Sequence, residues 1–131
     1  MLRHLAIGSV PIDEESLRRS RPASPTAGAV VSFLGLVRNS EAGEPIRALH
    51  YEAFEAMATH QFQKLFDELA HRWPAVESVR LVHRVGEVPA GEPSLWVEVA
   101  APHRGEAFAA AQWLIDDMKR VVPIWKQPRP V

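Results

Sequence analysis

Residues 28–37, GAVVSFLGLV, form the stretch on which the fold prediction depends. This stretch is almost continuously apolar and rich in β-branched residues, which is typical of a buried strand. The polar run over residues 38–45 breaks the pattern, and a second strand pattern resumes over residues 46–53. We therefore predict that the two strands pair as a hairpin with a long loop between them.

Two amphipathic helices are predicted farther along the chain. Apolar residues at three- and four-residue steps indicate a helix over residues 55–73, which Pro74 ends. A last helix is expected to begin near Pro102, a residue suited to a first helical turn, and to run to about Val122. The residues predicted to face inward are Phe54, Ala58, Phe62, Leu65, Phe66, Leu69 and Trp73 in the first helix, and Phe108, Ala111, Ile115, Met118 and Val122 in the second.

A second hairpin is predicted between these helices. Residues 77–88 alternate, with Arg80 and Arg84 on the face opposite the apolar one, and a turn then leads into the alternating residues 94–100. A short strand and a brief helix over residues 2–19 precede everything else. Antiparallel hairpins that are each followed by a helix predict an α+β sandwich rather than a doubly wound sheet.

Composition excludes several classes of protein. The chain has 131 residues, a common length for one domain, so we expect a single domain over residues 1–131. The formal net charge of −1 argues against a protein that coats nucleic acid. No apolar run suits a signal peptide or a membrane span, so we expect a cytoplasmic protein. With no cysteine, the chain has no disulfide, thiolate metal site or catalytic thiol.

Basic residues stand at the predicted start of the last helix, in His103 and Arg104. Cations there oppose the helix dipole, whereas the free backbone N–H groups favour an anion. A bound phosphate or carboxylate would explain the placement. The alternative is that Arg104 simply pairs with Glu106 or another surface acid, and spacing alone favours this alternative.

Two lysines near the end of the chain are a second candidate feature. Lys119 lies beside Met118 at the border of the apolar stripe, where loss of hydration can suit a lysine to acid–base work. A basic residue in a last helical turn also simply complements the dipole. Lys126 lies between Pro123 and Pro128, which restrict its backbone. The six histidines show no metal-ligand spacing, and we expect neither a metal nor a cofactor.

Several segments in one order resemble the large, catalytic subunit of molybdopterin synthase, the MoaE family. The resemblance covers residues 28–126. Its segments are GAVVSFLGLVRNS, LHYEAF, RWP, VHRVGEVPAGE, APHRGEAF and DMKRVVPIWK. It implies a hammerhead-type α/β sandwich and a sulfurtransferase of molybdenum cofactor biosynthesis. Such an enzyme takes two sulfurs from the C-terminal Gly-Gly thiocarboxylate of a small ubiquitin-like subunit. It adds them to cyclic pyranopterin monophosphate, within a heterotetramer built on a homodimer.

The resemblance also implies roles for individual residues. Lys119 and Lys126 match the family's catalytic lysines. The implied substrate-binding residues are Arg38, His103, Arg104, Val37, Gln127, Met118 and Phe33.

The sequence departs from the family pattern at two places. Leu36 stands where many relatives have a lysine. Fewer residues follow Lys126 than in relatives with a polar tail, and Arg129 is the only basic residue among them. In relatives a basic residue of that tail completes the neighbouring pocket. The alternative function is therefore a non-catalytic scaffold of the same fold that binds a phosphate or a partner's tail.

Overall fold

The computed structural model describes residues 1–131, which form eight strands and three helices. None of the helices combines the length and the apolar character that a membrane span requires. In chain order the elements are β1 (Leu2–Gly8), α1 (Glu14–Arg19), β2 (Ala29–Leu36), β3 (Ser40–Glu41), β4 (Glu44–Ala53), α2 (Glu55–Arg72), β5 (Ser78–Arg84), β6 (Gly86–Pro89), β7 (Pro93–Ala101), α3 (Arg104–Val121) and β8 (Ile124–Pro130).

The main sheet has the strand order β1-β5-β7-β2 and carries α2 and α3 on one face. Strands β5, β7 and β2 pair antiparallel, whereas β1 runs parallel to β5. Alternate residues of β5 and β7 meet the apolar stripes of the two helices, as the period-2 and period-3.6 patterns require. The fully buried side chains of this core include Phe62, Phe66, Leu69, Leu81, Val97 and Leu114.

The opposite face of the main sheet is closed by a buried ion network. Glu98 on β7 is fully buried, and its carboxylate accepts hydrogen bonds from Arg80 Nε at 3.0 Å and from Arg21 Nε at 2.9 Å. Arg80 also donates to the Leu17 carbonyl at 2.6 Å and stacks over Trp96, so it ties α1 to the sheet. Arg80 and Arg84, expected on the outer face of a half-buried strand, are in fact both buried.

A second sheet has the order β3-β4-β6, and β8 pairs with the other edge of β4. It packs around a small apolar cluster of Val37, Ile46, Leu49 and Val88. Gly86, with φ of 81°, lets the chain turn from β5 in the main sheet to β6 in the second sheet. The predicted strand over residues 77–88 is therefore two strands, of which only β5 makes the predicted pairing with β7.

The first predicted hairpin is wrong. Strand β2 pairs with β7, while β4 pairs with β6 and β8, so the two strands lie in different sheets. Only the tip of the intervening loop forms a hairpin, where Ala42 and Gly43 have positive φ between β3 and the start of β4. The polar loop resembled a hairpin turn, but long-range pairing decided the partner of each strand.

The structure corrects four further expectations. Strand β2 is an edge strand with no fully buried residue, and Val30, Phe33 and Leu36 are exposed on it. Phe54 and Phe108, predicted to face inward, are also exposed. Helix α3 begins at Arg104 rather than at Pro102, and the tail forms strand β8, which was not predicted. The predicted α+β class is confirmed.

Candidate active site

A cavity of about 500 Å³ lies where the two sheets meet the C-terminal end of α3. Its wall combines side chains of β2, β4, β5, β7, α3 and β8 with those of the loop around Arg38 and Glu41. The cavity therefore depends on the pairing of β2 with β7 in one sheet and of β4 with β6 and β8 in the other. Another cavity, of about 650 Å³, lies beside Arg18 and Arg21 and contains no predicted site residue.

The two predicted catalytic lysines both line the first cavity. Lys119 lies in the last turn of α3, directly after the buried Met118, and its side chain is exposed rather than desolvated. Lys126 lies on β8 directly opposite Tyr51 of β4, so the two side chains share one face of the sheet. The Lys126 ammonium is 3.3 Å from the Glu41 carboxylate.

Arg38, Phe33 and Met118 also line the cavity. Neither Arg38 nor Lys119 forms an ion pair within the chain, and the one carboxylate of the wall, that of Glu41, is engaged by Lys126. Three cations thus face one anion, beside the apolar side chains of Phe33 and Met118. This arrangement favours a ligand that carries negative charge and an apolar part.

The remaining predicted residues lie elsewhere in the protomer. His103 and Arg104 are exposed at the N-terminus of α3. With a rise of 1.5 Å per residue, Arg104 lies roughly 22 Å along the helix axis from Lys119. His103 makes no cap hydrogen bond and lies 3.4 Å from Glu106. Val37 is buried in the small apolar cluster, and Gln127 is exposed on β8. None of these four lines the cavity.

The structure adds three polar residues to the cavity wall that sequence reasoning did not select: Tyr51, His83 and Ser94. The Tyr51 ring meets the His83 ring edge to face at 5.3 Å, and the Tyr51 hydroxyl is 3.3 Å from Ser94 Oγ. Burial lowers the pKa of His83 below its usual value of 6.5, although a hydrogen bond with the Arg84 carbonyl opposes this shift. The available signal was a histidine within the apolar face of residues 77–88.

The wall offers anion-binding groups but no metal-ligand set. No group of three or more histidine, aspartate or glutamate side chains that could hold a metal ion occurs in residues 1–131. A concave cavity with largely apolar walls and a few cationic groups is suited to a small anionic ligand, which defines the class of protein as a small-ligand-binding one.

Comparison with known families narrows the class of protein to a single family. The family described as "MoaE protein" matches residues 7–121, and the chain belongs to this family. The resemblance found over residues 28–126 is therefore confirmed.

Individual relatives agree with the family. The chain is 43% identical over 100 residues to the molybdopterin synthase catalytic subunit of Nostoc sp., covering 76% of this chain but only 61% of that relative. It is 39% identical to that of Pyrococcus abyssi, covering 80% of this chain and 70% of the relative. The crystal structure of molybdopterin synthase from Staphylococcus aureus superposes with a TM-score of 0.87 at 32% identity, covering 96% of this chain and 90% of that one.

Proposed function

We propose that this protein is the catalytic subunit of a molybdopterin synthase. It transfers two sulfurs from the thiocarboxylated C-terminus of a small ubiquitin-like subunit to cyclic pyranopterin monophosphate and so forms the dithiolene of molybdopterin. The observation that carries the proposal is the cavity, in which Arg38, Lys119 and Lys126 converge in a chain of the MoaE family. The names of the relatives, which are catalytic subunits, support a multi-subunit enzyme.

The cavity suits both anions of this reaction. Arg38, with a planar guanidinium and no acidic partner, is the group that fits the cyclic phosphate. Lys119 and Lys126 are suited to orient the partner's tail and to stabilise charge on the attacked thiocarboxyl carbon. They also move protons as the phosphate ring opens. Phe33 and Met118 provide apolar walls for the pterin.

The sulfur must come from outside this chain. The chain contains no cysteine, so it cannot carry a persulfide. A thiocarboxylated partner is therefore an obligatory substrate in this proposal. A Gly-Gly tail has no side chains and can enter a cavity of this size in an extended conformation.

A second copy of the chain is part of the proposal. His103 and Arg104 are expected to bind substrate, yet in one protomer they lie about 22 Å along α3 from Lys119. They can contribute to a cavity with Lys119 only if a neighbouring protomer presents them. A homodimer with one small subunit at each end satisfies this requirement, and we place the enzyme in the cytoplasm.

The decisive experiment mixes the purified protein with its thiocarboxylated partner and cyclic pyranopterin monophosphate and measures the dithiolene product. We expect product only when all three components are present. If a relative forms product under the same conditions and this protein does not, the alternative of a non-catalytic scaffold that binds the phosphate or the tail is favoured.

A further inference from the structure

Three polar side chains of the cavity wall, those of Tyr51, His83 and Ser94, have no part in the anion binding described above. His83 and Ser94 are only 6% and 7% exposed. A buried polar cluster costs free energy unless its hydrogen bonds are satisfied. The cluster lies in the same cavity wall as the three cations Arg38, Lys119 and Lys126.

The hydrogen bonds of His83 define its tautomer. Its Nδ1 atom is 2.7 Å from the carbonyl oxygen of Arg84, and because a carbonyl only accepts, Nδ1 carries the proton. The lone pair of the neutral imidazole is then on Nε2. Nε2 makes no hydrogen bond within the chain. It is not fully enclosed, since Arg84 Nε is the only fully enclosed side-chain nitrogen or oxygen without a partner. Nε2 therefore has solvent access, and His83 is one of the residues that line the cavity.

Neighbouring strands hold the imidazole in place. Tyr51 on β4 meets the ring of His83 on β5 edge to face at 5.3 Å, and the Tyr51 hydroxyl is anchored by Ser94 of β7. Directly opposite Tyr51 stands Lys126 on β8. A proton acceptor is thus fixed on the same stretch of wall as the lysine proposed to act on the partner's tail.

The other polar groups of the cavity wall are less suited to accept a proton from water. Arg38, Lys119 and Lys126 are donors in their charged forms, and Glu41 is paired with Lys126. The hydroxyls of Tyr51 and Ser94 are paired with each other. His83 Nε2 is the one neutral nitrogen base of the wall.

The proposed sulfur transfer has a step that needs such a base. The thiocarboxylate sulfur bonds to a carbon of the pterin substrate as an oxygen substituent of that carbon leaves with its electron pair. The partner's tail and the substrate are then joined through a thioester. Water must then cleave the bond between sulfur and the acyl carbon before the next step can occur. This step is the same for both sulfurs.

We propose, on the basis of the function proposed above, that His83 is the general base for this hydrolysis. Nε2 takes a proton from water as the water oxygen bonds to the acyl carbon of the tail. The carbon–sulfur bond breaks, and sulfur leaves with the electron pair as a thiolate on the substrate. The imidazolium returns its proton to that sulfur, and the tail departs as a carboxylic acid.

The test compares the wild-type protein with His83→Gln in a single turnover with thiocarboxylated partner and cyclic pyranopterin monophosphate. Mass spectrometry of quenched samples measures the adduct of tail and substrate as well as the product. In His83→Gln we expect the adduct to form at close to the wild-type rate and its hydrolysis to slow by about 100-fold. His50→Gln is the matched control, because His50 lies on β4 outside the cavity wall.

Product release at the wild-type rate in His83→Gln would overturn the role, and so would an equal slowing of both steps, which indicates a structural effect. If the wild-type protein forms neither adduct nor product, the proposed function itself fails. The pH profile of adduct hydrolysis in the wild-type protein is a second measurement that does not depend on the folding of a variant. We expect the rate to fall in acid as the imidazole becomes protonated, and a flat profile would overturn the role.

Discussion

Lys126 Nζ lies 3.3 Å from Glu41 Oε1 in the wall of the cavity. Strand β8 carries the lysine and the short strand β3 carries the glutamate, so this ion pair joins the C-terminal strand to the tip of the loop after β2. Lys126 is proposed to act on the partner's tail. Glu41 would then compete with the thiocarboxylate of the tail for Lys126.

Glu41→Gln tests this competition. Removal of the only carboxylate in the wall should strengthen the binding of anions to the cavity. A half-exposed ion pair contributes at most about 1 kcal/mol. We therefore expect KM for the thiocarboxylated partner to fall by about two- to fivefold. The effect should weaken in high salt. Steady-state kinetics at two salt concentrations provides the measurement. Glu44→Gln is the control, because Glu44 is the cross-strand neighbour of Glu41 and makes no ion pair; an equal fall of KM there would contradict the explanation.

Lys119→Ala should remove activity without affecting the fold. Lys119 lines the cavity but is exposed and has no ion-pair partner, so we expect thermal stability and the dimer to be unchanged. The loss of a charged group that is proposed to act in the transition state should lower kcat by about 100-fold or more. Product assays and thermal melts check both parts. Lys64→Ala, on the exposed face of α2, is the matched control, and near-normal activity in Lys119→Ala would remove that lysine from the mechanism.

Periodicity predicted the helices and most of the strands, because burial repeats with the same period as the side chains. Residues 55–73 contain α2, and the inward stripe from Ala58 to Leu69 is buried as predicted. The prediction was wrong at the ends of elements and in the pairing of strands. Phe54 begins α2 outside the core, and GAVVSFLGLV is an edge strand although it has the composition of a buried one. An apolar run predicts a strand, but it does not determine whether that strand lies in the middle or at the edge of a sheet.

The candidate site was partly predictable for a related reason. Lys119, Lys126 and Arg38 came from segments of the resemblance and line one cavity. Tyr51, His83 and Ser94 come from three strands whose pairing across two sheets no local pattern encodes. The separation of His103 from Lys119 by the length of α3 follows from helix geometry. It could have been read from their spacing once both were assigned to one helix.

Acid should destabilise the protein through His83. Burial lowers the pKa of His83 below 6.5 in the folded state, whereas the unfolded chain has the usual value, so the unfolded state binds the proton more readily. The stabilisation is complete above pH 6.5 and is lost as the pH falls through the lowered pKa. Urea unfolding between pH 7.5 and pH 5 measures this slope. In His83→Gln the slope should be smaller, whereas an equal slope would contradict the assignment.

Glu98→Ala should strongly destabilise the main sheet. Glu98 is fully buried and accepts hydrogen bonds from Arg80 and Arg21, so its loss leaves a buried guanidinium without its counter-ion. We expect the free energy of unfolding to fall by about 3–5 kcal/mol. Glu87→Ala is the control, because the Glu87–Arg47 pair is exposed and should contribute no more than about 1 kcal/mol. Chemical denaturation of the two variants makes the comparison, and similar losses in both would contradict the structural role of the network.

Mixed dimers test whether Arg104 and Lys119 meet across two protomers. If each site combines Lys119 of one protomer with Arg104 of the other, a dimer of one Lys119→Ala chain and one Arg104→Ala chain keeps one intact site. At a substrate concentration at which neither variant alone is active, random mixing should then restore about a quarter of the wild-type activity. Half of the dimers are mixed, and each of these has one of its two sites intact.

Lys119→Ala alone should be nearly inactive, and Arg104→Ala alone should bind substrate weakly. A mixture of two Lys119→Ala preparations is the control. If both residues act within one protomer, mixing restores nothing, because no chain then carries both side chains. The distance of about 22 Å along α3 between these residues favours restoration, because a single cavity of about 500 Å³ does not reach both ends of that helix.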